Sequence, residues 1–252
     1  MKIDHPTPVQ IPQLRGLWKT AFGDGDEWLD QFFSAAFSPS RCRCVTEDGA
    51  LLAALYWFDV SCDSAPMAYL YAVATDPTAR NRGLCRTLLE DTKEVLVRQG
   101  YAGAMLKAAD EGLRRMYERM GFRPCTTISE QIFKAGSAAA PLRRIDTAEY
   151  GRLRRAFLPA HGVIQDGPLL DFFGTQAELY AGEDFLCAVS VHDGMFHCHE
   201  LLGNICAAPH ILRALNYDRG SFRFPGDGVP FASFCPLTSH CPTPAYFGLA
   251  LD

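Results

Sequence analysis

The chain has 252 residues, of which 48% are hydrophobic and 21% are charged, and its formal net charge is −5. This composition is typical of a globular protein with a buried core, and the acidic balance argues against a nucleic-acid partner. No apolar stretch is long enough to span a membrane, the first ten residues do not resemble a signal peptide, and the ten cysteines are scattered. We therefore expect a cytoplasmic protein of one large or two smaller domains, with reduced thiols and no membrane contact.

The first half of the sequence contains apolar periodicities of both the helical and the strand type. In chain order they predict helix, helix, strand pair, strand, helix, strand and helix, over residues 10–22, 26–37, 41–58, 69–75, 84 onward, 103–108 and 111–120. The strand pair contains the turn Glu47-Asp48-Gly49, and Gly121 is expected to end the last helix.

A seam at residues 135–141, with the sequence AGSAAAP, is small and uncharged and therefore predicts a linker. It separates a first domain, 1–134, from a second domain, 142–252. After the seam the same order begins again, because 144–157 and 167–180 repeat the spacing of the two N-terminal helices. We interpret the second half as a smaller α+β domain and a degenerate copy of the first, although the residue-by-residue similarity is weak.

The segment between the strand at 69–75 and the following helix combines arginines with a glycine. Arg80, Arg82 and Gly83 lie in this loop, and Arg86 follows in the first helical turn. The first turn of a helix presents free backbone N–H groups at the positive end of the dipole, so it can bind an anion, and Gly83 would let a phosphate approach closely. From this segment alone, a solvated basic loop that starts an ordinary helix is an equally good interpretation.

Two motifs in this order and at this separation resemble those of the GNAT superfamily of acetyl-CoA-dependent acyltransferases. The phosphate loop of the family, Arg/Gln-x-x-Gly-x-Gly/Ala, is matched by RNRGLC at 80–85, and its later Tyr-x-x-x-Gly-Phe is matched by YERMGF at 117–122. The resemblance covers residues 1–134 and implies an α/β fold, with a mixed central sheet and flanking helices. It also implies transfer of an acetyl group from acetyl-CoA, the co-substrate, to an amine of a small molecule or a peptide.

The resemblance further implies which residues would hold acetyl-CoA. Backbone groups of Ala72, Val73 and Ala74 would bond the pantetheine arm as an additional strand would. The pyrophosphate would be held by the loop and the first helical turn, that is by Arg80, Arg82, Gly83, Leu84, Cys85, Arg86 and Thr87. Asp110 stands where the family often has an asparagine that contacts the cofactor.

Catalytic roles follow from the same resemblance. Tyr117 would be the general acid that returns a proton to the leaving CoA thiolate, or else a packing tyrosine beside Leu113 and Met120. The strand where many members place a basic carboxylate has none before Asp76, so water, a backbone group or a group of the second half would have to serve. Asp252 is one candidate, because double-GNAT enzymes of the enhanced-intracellular-survival type resemble this plan, and it is otherwise a solvated terminus.

A direct attack in a ternary complex is expected rather than a covalent enzyme, since no nucleophile is placed beside a base. Cys85 is the one exception to consider. A thiol at a helix N-terminus should have a lowered pKa, but a bound pyrophosphate would cover Cys85, where the family prefers glycine or alanine.

Six of the seven histidines lie in the second half, together with five of the ten cysteines. His197 and His199 share a strand face and could bind a metal, but no Cys-x-x-Cys pair accompanies them, so we predict no metal site. The histidines could instead line a polar acceptor cleft. Two other functions remain open, a CoA-binding regulatory module without turnover and a metal-dependent protein. Formation of a homodimer is also left open.

Overall fold

The computed structural model describes residues 1–251. They form two compact units, one made of Met1–Arg123 with Ser233–Cys241 and the other of Pro124–Ala232 with the segment from Pro242 onward. Within residues 1–251, no helix is long and apolar enough to cross a membrane.

The helices are α1 (Ile11–Phe22), α2 (Asp26–Ala35), α3 (Leu84–Arg98), α4 (Glu111–Glu118), α5 (Thr147–Phe157), α6 (Pro168–Gln176) and α7 (Ala208–Ala214). The first strands are β1 (Lys2–Asp4), β2 (Cys42–Glu47), β3 (Ala50–Cys62), β4 (Ala65–Thr75), β5 (Gly103–Leu106), β6 (Arg123–Pro124) and β7 (Thr127–Lys134). The later strands are β8 (Arg143–Ile145), β9 (Ile164–Gln165), β10 (Glu178–Ala181), β11 (Phe185–His192), β12 (Met195–Gly203), β13 (Arg219–Pro225), β14 (Val229–Pro230) and β15 (Ser233–Pro236).

Every helix and strand predicted in the first half is present, with its ends shifted by a few residues. The helix α1 buries Leu14 and Trp18 at helical spacing and ends where Gly23 adopts a left-handed φ of 80°. The predicted turn between β2 and β3 is also found, with Asp48 and Gly49 at φ of 51° and 83°. Two successive left-handed residues are what a tight hairpin turn requires.

The sheet of the first unit contains the strands β1-β2-β3-β4-β5-β15 in this order. All neighbours pair antiparallel except β4 and β5, which are parallel. Apolar residues of α3, among them Leu88 and Leu96, form one buried core with Leu55 and Leu70 of the sheet. This is the mixed central sheet with flanking helices that the sequence predicts.

The sheet of the second unit contains β14-β7-β13-β12-β11-β10-β8. Read from β8, its strands follow the same spatial order as those of the first sheet from β1, and the fourth and fifth strands, β12 and β13, are again the parallel pair. The helices α5 and α6 follow the first strand as α1 and α2 do in the first unit. That the second half is a degenerate copy stays a prediction, which this shared order supports.

The two units differ from the predicted domains at their last strands. The strand β7, predicted in the first domain, pairs with β13 of the second unit, and β15, predicted in the second domain, pairs with β5. The predicted linker, 135–141, is anchored in the second unit, because Ala135 N–H donates to the Asp218 carbonyl and Gly136 N–H to the Pro209 carbonyl. Each of these two strands, β7 and β15, therefore lies in a sheet formed mainly by the other half of the sequence.

A buried ion pair ties the last segment of the second unit to its core. Arg154 of α5 donates from Nε and Nη2 to the two carboxylate oxygens of Glu200, over 2.7 and 2.9 Å, and both side chains are buried. The hydroxyl groups of Tyr150 and Tyr246 donate to the same carboxylate. A Cβ at Gly248 would lie 1.8 Å from Glu200 Oε1, so the backbone itself packs against the pair.

Replacing Glu200 with glutamine should lower the free energy of unfolding by about 3 kcal/mol, because the buried guanidinium of Arg154 would lose its counter-charge. Chemical denaturation followed by circular dichroism measures this loss. Glu183→Gln removes an exposed carboxylate from the same unit and should change stability by less than about 0.5 kcal/mol. Equal stabilities of the two variants would contradict a stabilising role for the ion pair.

Candidate active site

The parallel strands β4 and β5 pair over only part of their length. Their register contains three pairs, Met67 with Gly103, Ala68 with Ala104 and Tyr69 with Met105. Beyond Tyr69, β4 continues to Thr75 and stays paired with β3, but among the described residues no strand pairs with its other edge. The backbone N–H and C=O groups of that edge are therefore available to a ligand that can pair as a strand does.

A β-bulge lies in this unpaired part of β4. Ala54 pairs with Ala74 and Tyr56 with Tyr71, so that two residues of β4 stand opposite the single residue between them on β3. Ala72 has a left-handed φ of 46°, which is uncommon for a residue with a side chain. Bulges redirect the strand and end regular pairing, and strained backbone of this kind is often found at functional sites. Nothing in the sequence predicts this bulge, since the segment AVA at 72–74 contains no glycine.

The loop after β4 leads into an uncapped helix. Asp76 Oδ1 accepts a hydrogen bond from the N–H of Thr78 over 2.8 Å and fixes the start of the loop. Asn81 and Gly83 both adopt left-handed φ, of 63° and 76°, and α3 begins directly after Gly83 with no side chain capping it. Backbone N–H groups of such a turn point together, and with the helix dipole they form a concave anion site.

The three arginines of the loop are exposed and differ in their partners. Arg82 donates from Nη2 to Glu47 Oε2 over 2.7 Å, and this hydrogen bond lowers the pKa of Glu47. Arg86 lies 4.0 Å from Glu90, one turn further along α3. Part of the positive charge is thus balanced in the free protein.

The prediction that Cys85 has a lowered pKa is wrong. Burial raises the pKa of its thiol, and the nearby charge of Arg86 offsets only part of that effect. The side chain packs against the core that contains Leu88 and Tyr117. Cys85 is therefore a small packing residue rather than an activated thiol.

Tyr117 lies on α4 and is 6% exposed. Its ring meets the edge of Phe122, with 6.1 Å between the ring centroids, and it belongs to the same core as Leu84 at the start of α3. Burial raises the pKa of Tyr117 well above its ordinary value, and proximity to Cys85 adds to the rise. Among the described residues we find no hydrogen-bond partner for its hydroxyl group. The fold thus brings together both motifs, with the phenol kept in its protonated form.

Asp110 and Asp252 are the remaining predicted site residues. Asp110 caps α4, because its Oδ1 accepts a hydrogen bond from the N–H of Leu113 over 2.8 Å. Its carboxylate therefore has a structural role whether or not it contacts a cofactor. Asp252 lies outside the described residues, so its predicted role as a base stays a prediction.

Two histidines of the second unit, His197 and His199, bond to serines. His199 Nε2 lies 2.7 Å from Ser190 Oγ, and His197 Nδ1 lies 2.9 Å from Ser221 Oγ. In the part of the chain that the structure describes, no three His, Cys, Asp or Glu side chains converge as metal ligands.

An apolar wall lies behind the bulge. From the sequence, its side chains are expected only as parts of helix faces and strands, with no functional role. Trp18 of α1 packs against Tyr56 of β3, with 5.2 Å between ring centroids. An apolar cleft too narrow to hold a water molecule adjoins them, lined by Leu14, Leu17, Trp18, Phe22, Ala54, Tyr56, Ala72 and Ala74. The side chains on this face of the bulge are therefore in contact with aromatic rings of α1 and β3.

Comparison with known proteins agrees with this geometry. The family model of the acetyltransferase (GNAT) domain matches residues 2–125. A comparison with curated proteins gives no match. The first half of the chain therefore belongs to the GNAT superfamily, which confirms the predicted fold, the acyltransferase class and acetyl-CoA as co-substrate.

Solved structures share the fold over most of the chain. One is a GCN5-related N-acetyltransferase from Kribbella flavida, with 16% identity and a TM-score of 0.71, covering 92% of this chain and 70% of that chain. Another, from Anabaena variabilis, has 12% identity and a TM-score of 0.72, covering 94% and 73%. Eis1 from Mycobacterium abscessus has 11% identity and a TM-score of 0.71, covering 94% and 74%.

Gly83→Asp should weaken acetyl-CoA binding by about a hundredfold, because it places a carboxylate where anionic phosphates are expected. Gly100, just beyond the other end of α3, is a matched control. Both glycines have left-handed φ, of 76° and 87°, and at both an added Cβ meets no atom within 4 Å. Isothermal titration calorimetry should show normal affinity for Gly100→Asp, and an unchanged affinity of Gly83→Asp would refute the loop assignment.

Proposed function

We propose that the first unit transfers the acetyl group of acetyl-CoA to an amine by direct attack in a ternary complex. The observation that carries this proposal is the opening between β4 and β5, which begins after Tyr69 and leads to the uncapped start of α3. It combines a free strand edge for an amide-containing arm with an anion site for phosphates.

The residues fit a coenzyme with these two features. The unpaired edge of β4 at Ala72, Val73 and Ala74 offers backbone groups to the pantetheine amides. The N–H groups of residues 82–86 lie in the turn and the first helical residues, where the pyrophosphate would be neutralised. The N–H of Thr87, which was also expected to bind it, already donates to the Gly83 carbonyl over 3.1 Å. When bound, acetyl-CoA supplies an activated thioester. The task of the protein is then to orient it and to manage two protons.

Tyr117 is the proposed general acid. The amine nitrogen attacks the carbonyl carbon, the carbon–sulfur bond breaks, and the departing sulfur takes the phenolic proton of Tyr117. A phenol with an ordinary pKa of about 10 is already protonated at neutral pH and holds a proton to donate. Burial raises the pKa of Tyr117 further, which keeps the proton on the phenol until the thiolate departs. The phenol regains its proton from solvent before the next turnover.

The attacking amine must lose a proton, and β4 carries no carboxylate near the bulge. Water or a backbone carbonyl can relay that proton, and the proposal that Asp252 accepts it is open to test by chain extension at that residue. The acceptor is an amine of a small molecule or a peptide. Its approach past the bulge would bring it near the apolar wall of Trp18 and Tyr56.

Tyr117→Phe should lower kcat by about a hundredfold or more while acetyl-CoA binding is retained, because the ring still fills its place in the core. A thiol-release assay with a panel of amines measures turnover, and calorimetry measures binding. Tyr101→Phe is the control, since its hydroxyl donates to Asp59 on β3 and has no proposed part in the reaction. Full activity of Tyr117→Phe would contradict the acid role. Binding without turnover in the unaltered protein would favour the second candidate, a CoA-binding module.

A further inference from the structure

The strand β7 has an edge that is covered at one end only. On one side it pairs with β13 along its whole length, from Ile128 to Lys134. On the other side β14 pairs with Thr127 and Ile128 alone. Among the described residues, no strand covers the outer edge of 130–134. Open edges invite pairing with another chain unless the sequence opposes it.

The face of this edge that carries residues 130, 132 and 134 has one large apolar side chain between two charged ones. Ile132 is 68% exposed, one of the most exposed large apolar side chains of the chain. Its neighbours across the sheet are polar, since Ile132 pairs with Ser221 and Ser221 with His197. Ile132 therefore presents apolar surface at the open edge, which a second strand paired there would cover.

We infer that this edge pairs antiparallel with the same edge of a second copy of the chain, about a twofold axis at Ile132. In that register Ile132 lies opposite Ile132 of the other copy, and Glu130 of each copy lies opposite Lys134 of the other. Residues 130, 132 and 134 share one face, because side chains alternate along a strand. The segment is thus self-complementary in charge, as a twofold interface requires.

The charges within one copy agree with this register. Lys134 pairs in the sheet with Arg219, so two positive charges lie side by side, which is unfavourable. The described residues provide no acidic partner for Lys134. Glu130 bonds to Arg223 over 3.4 Å and still has a side chain that is 45% exposed. A second copy would place that carboxylate beside Lys134 and relieve the repulsion.

The dimer should be weak, because five residues of edge pairing bury less area than a stable interface needs. Sedimentation velocity between about 1 µM and about 1 mM should therefore show a concentration-dependent shift from monomer to dimer. Glu130→Lys and Lys134→Glu should each weaken self-association about tenfold or more, since both put like charges opposite each other twice. Neither side chain is buried, so circular dichroism should show both variants folded.

Mixing the two variants provides the decisive test. A Glu130→Lys chain facing a Lys134→Glu chain restores opposite charges in both rows, so the mixture should form a heterodimer about as tight as the unaltered dimer. Val9→Asp, which alters an even more exposed apolar residue of the first unit, should leave association unchanged. The inference fails if the unaltered protein stays monomeric throughout, if the single variants dimerise normally, or if their mixture does not associate.

Discussion

The early end of pairing between β4 and β5 is the constraint on which the proposed site depends. Parallel strands normally stay in register, but here an additional residue in β4, with Ala72 in a left-handed conformation, turns the strand after Tyr69. The cost of that backbone conformation, about 1–2 kcal/mol, is offset by the antiparallel pairing that β4 keeps with β3. A strand that remained paired with β5 would leave no backbone groups for a pantetheine arm.

The second unit repeats the strand order of the first without its phosphate loop. Its parallel pair, β12 and β13, is likewise only three residue pairs long, but residues 204–207, which connect β12 to the short helix α7, contain no arginine. Inside this unit Glu200 is neutralised by Arg154 and two tyrosines. The polar groups of its core are thus committed to structure, which agrees with an acceptor-shaping or supporting part rather than a second coenzyme site.

The sequence predicted most of this where local chemistry decides the structure. Helical spacing placed α1 and α3, and the glycine at position 83 marked the anion turn, because only backbone-permissive residues fit there. Features that depend on contacts between distant segments were not predicted from the sequence. The assignment of β7 and β15 depends on pairing between distant segments, which periodicity cannot detect. The predicted lowering of the Cys85 pKa was wrong for a similar reason. Burial depends on the tertiary core, and its effect on the thiol pKa outweighs that of the helix dipole.

A crystal structure of the protein with CoA tests the account most directly. We predict that the pantetheine amides will be bonded to the backbone of β4 at residues 72–74 and that the pyrophosphate will lie on the N–H groups at the start of α3. The CoA sulfur should lie within hydrogen-bond reach of the Tyr117 hydroxyl. Coenzyme bound elsewhere, or bound there with the sulfur remote from Tyr117, would contradict it.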